Sequence, residues 1–193
     1  VEHYGGGTWF KASFLHTFTF LALSFLLVNP PFGDIAAPEL ASKWTVITDD
    51  GEDITYPHAM ATSGSTMTWY TDGADALAGD AWLLFGLMDN VNSDGAIVEV
   101  TREFQANETL REDNISFWTT NAERIANGTS TSNKSAPNLT PHGDLDQPFS
   151  IYLGADLEEG THEIRVKITE QGDPWENVQE YTWKLVISSD PAP

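Results

Sequence analysis

The hydrophobic positions of this chain fall into two regimes that change over near Pro30. From Trp9 to Val28 (WFKASFLHTFTFLALSFLLV) apolar residues run almost without interruption, and from Ala12 to Gly33 no side chain is charged unless His16 is protonated. About 20 residues of helix rise roughly 30 Å, the thickness of a bilayer's hydrocarbon core, and a helix satisfies its own backbone groups as lipid requires. The run is therefore expected to be a helix over 9–28 that anchors the chain in a membrane or packs into an assembly. The competing readings are a signal peptide and a buried helix or strand of a soluble domain. Since the chain starts at Val1 and still carries the run, retention is expected rather than cleavage.

Residues 1–8 form a short leading segment with Gly5, Gly6 and Gly7, and Tyr4 and Trp9 suit a membrane interface. Asn29, Pro30 and Pro31 end the helix, because proline lacks the N–H donor and restricts the residue before it. Residues 29–38 then read as a short semi-rigid stalk. At about 100° per residue, Ser13, His16, Thr17 and Ser24 share one narrow helical face with Phe20. In lipid such groups bond to another helix, each for about 0.6–2 kcal/mol, or fold back on their own helix carbonyls. An imidazole at that depth needs a partner. This face is thus the expected contact with another membrane or filament subunit, with lipid around the rest. Lys11 before the run, against Asp34 and Glu39 after it, places the N-terminus in the cytoplasm and the long remainder outside.

From Glu39 onward the pattern changes to short β-branched and aromatic segments separated by Gly, Asp and Asn. Strands are expected at Trp44–Thr48, Met67–Thr71, Ala81–Met88, Ile97–Phe104, Ile115–Thr119, Phe149–Leu153, His162–Thr169 and Gln179–Ile187. The last two alternate most cleanly: Ile164, Val166 and Ile168 against Glu163, Arg165 and Lys167, then Tyr181, Trp183, Leu185 and Ile187 against Thr182 and Lys184. Each offers one face to a core and one to water. The run LEEGTHEIRVKITEQGDPWENVQEYTWKLVIS, Leu157 to Ser188, resembles the closing strands of an immunoglobulin-like or fibronectin-like β-sandwich of prokaryotic surface proteins. The resemblance implies an all-β fold class, a single immunoglobulin-like β-sandwich over 39–190 behind one N-terminal hydrophobic helix. It lacks the Cys and Trp signature of antibody domains, and such a fold does not by itself imply a function.

Charge narrows the partners. Nine basic against 29 acidic residues leave a net charge of -20, which excludes a phosphate-binding surface and makes nucleic acid a poor partner. Seven Trp and ten Phe exclude a disordered acidic tail. The acids are spread from Asp34 to Asp190, which favours general solvation in a salt-rich medium over one dedicated cation site. With no cysteine there are no disulfides, thiolate metal sites or Cys nucleophiles. Together these features point to a prokaryotic, haloarchaeal-type surface protein.

The window 107–140 differs again, with five Asn-x-Ser/Thr sequons at Asn107, Asn114, Asn127, Asn133 and Asn138. Its six Asn and ten Ser or Thr in 34 residues would give roughly two by chance (6 × 10/34). It reads as a polar insertion bearing N-linked glycans on the outer face, with a fortuitous Asn-rich loop as the alternative.

Catalytic and metal constellations are weak. His142, Asp144 and Asp146 would share one side of an extended segment, as a metal site requires, but Pro141 and Gly143 favour a turn. Asp89, Asn90, Asn92 and Asp94 resemble half of a calcium loop, yet its twelfth position is Val100 rather than Glu, so a hairpin turn is preferred. Asp49, Asp50, Glu52 and Asp53 read as a solvated turn. Ser63, Ser65, His58, His142 and His162 lie outside any G-x-S-x-G elbow, and His162 is in phase with the core positions Ile164 and Val166. The expectation is a non-enzymatic surface glycoprotein without catalytic residues or a resident metal, calcium being the one weak candidate. It would be single-pass with its β-domain extracellular, a structural or interaction subunit of a larger assembly. The alternatives are a pilin-type extracellular filament subunit, from whose pattern the leading eight residues and Pro30 depart, and a cation- or glycan-binding module.

Overall fold

A computed structural model describes residues 5–29, 33–57, 66–89, 95–105, 107–110, 115–130, 138–172 and 175–190. The apolar run forms α1 (Gly6–Leu27), a single helix of 22 residues. It starts within the glycine triplet, three residues earlier than Trp9. Asn29 closes it by donating from Nδ2 to the Phe25 carbonyl at 2.6 Å, which serves one of the acceptors a helix end leaves open.

The rest is β-rich. The strands are β1 (Glu39–Asp49), β2 (Ile54–Tyr56), β3 (Thr66–Tyr70), β4 (Ala76–Met88), β5 (Ile97–Glu103), β6 (Asn107–Leu110), β7 (Thr129–Ser130), β8 (Gln147–Glu158), β9 (Gly160–Glu170) and β10 (Asn177–Ser188). They form two five-stranded sheets, ordered β7-β2-β1-β4-β8 and β3-β10-β9-β5-β6. The pairings β3 with β10 and β2 with β7 are parallel, and the others are antiparallel. Among the described strands the chain changes sheet between β2 and β3, β3 and β4, β4 and β5, β6 and β7, and β8 and β9.

The core lies between the sheets because alternation sends every second residue inward. Trp44, Val46, Leu83, Phe85, Phe149 and Ile151 come from one sheet, and Met67, Val100, Ile164, Val166, Trp183 and Leu185 from the other. Trp183 locks the two together, its ring stacked on Trp44 at 5.0 Å and met edge-on by Phe85 at 5.5 Å. Such aromatic pairs add about 0.5–1.5 kcal/mol each beyond their buried area.

The first sheet is covered on its other side too. Ile47, Ile54, Tyr56 and Leu84 form a second apolar cluster with Ile125 and Leu139, supplied by α2 (Ile115–Thr120), α3 (Ala122–Ala126) and the segment before β8. Burial on both faces explains why Trp44 to Thr48 and Leu83 to Leu87 are buried without a break. Gly86 lies beneath this cover, where a Cβ would stand 2.3 Å from the Leu139 carbonyl oxygen. Ile115–Thr119, expected as a strand from its β-branched and aromatic residues, is instead helical. Phe117 stacks on Trp82 at 3.8 Å and 10°, so docking on the sheet overrides a weak local preference. Within the 107–140 window, the described residues Phe117, Trp118, Ile125 and Leu139 accordingly pack on the first sheet. Arg124 of α3 pins it further, donating to Asp49 Oδ2 at 3.2 Å and to the Glu52 carbonyl at 3.2 Å.

Candidate functional sites at the apolar helix and a carboxylate cluster

No residue of α1 is buried, and large apolar side chains are spread around its whole circumference. Phe10, Phe14 and Phe18 stack in an i, i+4 ladder at 6.4 and 6.3 Å, about 100° around the axis from the stripe of Ser13, His16, Thr17 and Ser24. Ser13, His16 and Thr17 are exposed and Ser24 is half-buried. A helix that is hydrophobic all round is stable when something covers it, either a protein interior or lipid. By length and composition α1 suffices to span a membrane.

Residues 33–38, the described part of the expected stalk beyond Asn29, lie against the β-domain. Gly33 and Pro38 are buried, and Asn177, at the start of β10, donates from Nδ2 to the carbonyls of Ala36 at 2.9 Å and Asp34 at 3.3 Å. Here three carboxylates converge. Asp34 follows the helix, Asp89 comes directly after β4 and Glu170 ends β9, and one oxygen from each lies within 4.8 Å of the other two. Glu170 is 4% exposed, and its Oε2 is buried with no hydrogen-bond partner. Burial pushes the Glu170 carboxyl up to about 7, and the negative charges of Asp89 and Asp34 push the same way. The packing is close: a Cβ on Gly172 would sit 2.4 Å from Asn177 Nδ2 and 2.5 Å from the Asp34 carbonyl oxygen.

Of these residues, sequence reasoning had singled out only Asp89. Glu170 carried a readable signal, since it continues the inward phase His162, Ile164, Val166, Ile168 by one more step. An acidic side chain at a core-facing position requires compensation. Asp34 carried none, because its approach depends on how the linker docks. Asn92 and Asp94 lie outside the described residues.

The other candidates are engaged elsewhere. Residues 141–145 turn instead of extending: the His142 N–H donates to Asp146 Oδ2 at 2.7 Å, Asp146 is buried, and Asp144 stays exposed. His142, Asp144 and Asp146 therefore do not share one side of a strand. In the acidic turn, Asp50 Oδ1 accepts from the N–H groups of Glu52 and Asp53 at 2.9 and 2.7 Å, and these bonds hold its carboxyl below the ordinary range. His162 is buried, stacks on Phe104 at 4.1 Å and donates from Nε2 to the Glu158 carbonyl at 2.8 Å. Burial lowers its pKa. It borders an open cavity of about 340 Å³ with Arg102, Asp156 and Glu158. His58, Ser63 and Ser65 lie outside the described residues. Of the sequons, Asn127 and Asn138 are exposed, Asn107 is in β6, and Asn114 and Asn133 lie outside the described residues.

No protein-family model matches the chain, and no match was found among curated proteins or solved structures.

Proposed function

We propose that the chain is a non-enzymatic, membrane-anchored surface glycoprotein subunit that acts in a structural or interaction role within a larger assembly. The observation that carries this reading is α1: a predominantly apolar helix of 22 residues, none buried, beside a β-domain whose core is complete without it. Leaving so much apolar surface in water is unfavourable by about 25 cal/mol per Å², so α1 needs a bilayer, neighbouring helices, or both.

The β-domain is taken as an immunoglobulin-like sandwich. In that fold strands A, B and E share one sheet, and G, F, C and C′ the other. The orders β1-β4-β8 and β10-β9-β5-β6 match this when read in the same sequence, which supports the assignment. The helical cover and the β7-β2 pair outside β1 are departures from the pattern. With the domain outside the cell, exposed Asn127 and Asn138 would be accessible to glycan attachment.

The partner contact runs through Ser13, His16, Thr17 and Ser24. The test is the size of the complex extracted from native membranes in mild detergent. Replacing His16 with Leu and Thr17 with Val should shift the protein from a discrete complex to a monomer, and an unchanged complex would count against this face. Sedimentation as a detergent-independent fibre would instead support the filament reading, with α1 in the fibre core.

A further inference from the structure

We propose that Asp34, Asp89 and Glu170 form a site for one divalent cation of the calcium class, which fastens the segment after the apolar helix to both sheets of the β-domain. The proposal does not depend on α1 being in a membrane.

Three observations converge on it. The donor oxygens lie within 4.8 Å of one another, a distance that two ligands on opposite sides of one cation at about 2.4 Å can span. The Glu170 side chain is almost wholly buried, at 4% exposure, and its Oε2 is buried without a hydrogen-bond donor. A buried carboxylate of that kind takes up either a proton or a cation. Finally, the cluster is assembled from three separate places. Asp89 directly follows β4 of the first sheet, Glu170 ends β9 of the second and Asp34 lies in the linker, while Gly172 and Asn177 close them together without room for a further side chain. An ion there would tie the linker to the ends of β4 and β9 beside the hydrogen bonds that Asn177 gives the linker.

The chemistry selects the ion class. All three donors are hard carboxylate oxygens, and neither His nor Cys belongs to the cluster, so calcium or magnesium is favoured over zinc or copper. Calcium tolerates irregular geometry and completes its shell with carbonyls and water, whereas magnesium demands a near-ideal octahedron. The placement across a junction suits the more tolerant ion.

The test uses the full chain in detergent, stripped with EDTA and titrated with calcium chloride in a calorimeter, alongside thermal melts. The wild type should bind one calcium saturably and melt higher with it, with magnesium at least tenfold weaker. Glu170→Gln and Asp34→Asn should each weaken calcium binding tenfold or more and abolish the rise in melting temperature. Asp53→Asn, in the exposed acidic turn, should leave both intact. Glu170→Gln should also melt no lower than wild type in EDTA at pH 8, because it removes a buried charge. Should it fail to fold, Asp34→Asn carries the binding test alone. Absence of saturable binding by the wild type at millimolar calcium would overturn the proposal, pointing to a shared proton in place of a cation. Undiminished binding by the variants would overturn it equally, placing the ion elsewhere.

Discussion

Neutralising Glu170 should change how the stability of the cation-free protein depends on pH. Folded, this carboxyl titrates at about 7 against an ordinary 4.5, because burial and the charges of Asp89 and Asp34 disfavour its ionised form. Between those values the folded state holds a proton that the unfolded chain has released, so stability falls as pH rises. Its contribution is complete below 4.5 and lost above 7. At about 1.4 kcal/mol per pH unit, the window of 2.5 units (7 − 4.5) corresponds to about 3 kcal/mol. About 2–3 kcal/mol of this falls between pH 5 and 8. His162 works the other way, since burial lowers its pKa from 6.5. Its contribution is present above 6.5 and lost as pH falls. Glu170→Gln leaves His162 untouched, so the difference between wild type and variant isolates the carboxyl. Urea unfolding of the full chain in EDTA, at pH 5, 6, 7 and 8, should show the variant gaining on the wild type by about 2–3 kcal/mol over that range. A difference that stays constant with pH would refute the reasoning.

Two further substitutions probe the helical cover on the first sheet. Leu84→Ala, at a fully buried position against Ile125 and Leu139, should cost about 2–5 kcal/mol by chemical denaturation; a cost below 1 would mean that the cover is not packed there. Gly86→Ala places a methyl against the Leu139 backbone and Thr140. It should cost about 1–3 kcal/mol and speed proteolysis within 107–140, and an unchanged digestion pattern would contradict the contact.

What could be read from the residues follows what the physics makes local. The alternation of Ile164, Val166 and Ile168, and of Trp183, Leu185 and Ile187, sets two strands by period alone, and β9 and β10 form there. The length and apolarity of Trp9 to Val28 set a helix in the same way. Helical cover is a tertiary fact, yet it left a trace. The run from Leu83 to Leu87 is apolar at every described position save the side-chain-less Gly86, whereas a sheet with one wet face would alternate. Ile115 to Thr120 misled because six residues cannot display a helical period, and their aromatic and β-branched content suits a strand. Strands β2, β6 and β7 are too short to show a pattern. The carboxylate cluster was half legible: Glu170 extends an inward phase and Asp89 stood out in its loop, but their meeting with Asp34 requires the fold. His142, Asp144 and Asp146 alternate in sequence, but the turn that uses Asp146 as its acceptor brings His142 Nδ1 to 3.6 Å from Asp146 Oδ2 and leaves Asp144 exposed.

The central claim is that α1 holds this β-domain to a membrane while contributing nothing to its core. Alkaline carbonate washing of native membranes tests it most directly, since carbonate releases proteins held by surface contacts and leaves spanning helices in the bilayer. The full chain should remain in the membrane pellet and be released by detergent. Recovery in the carbonate supernatant would contradict the anchor.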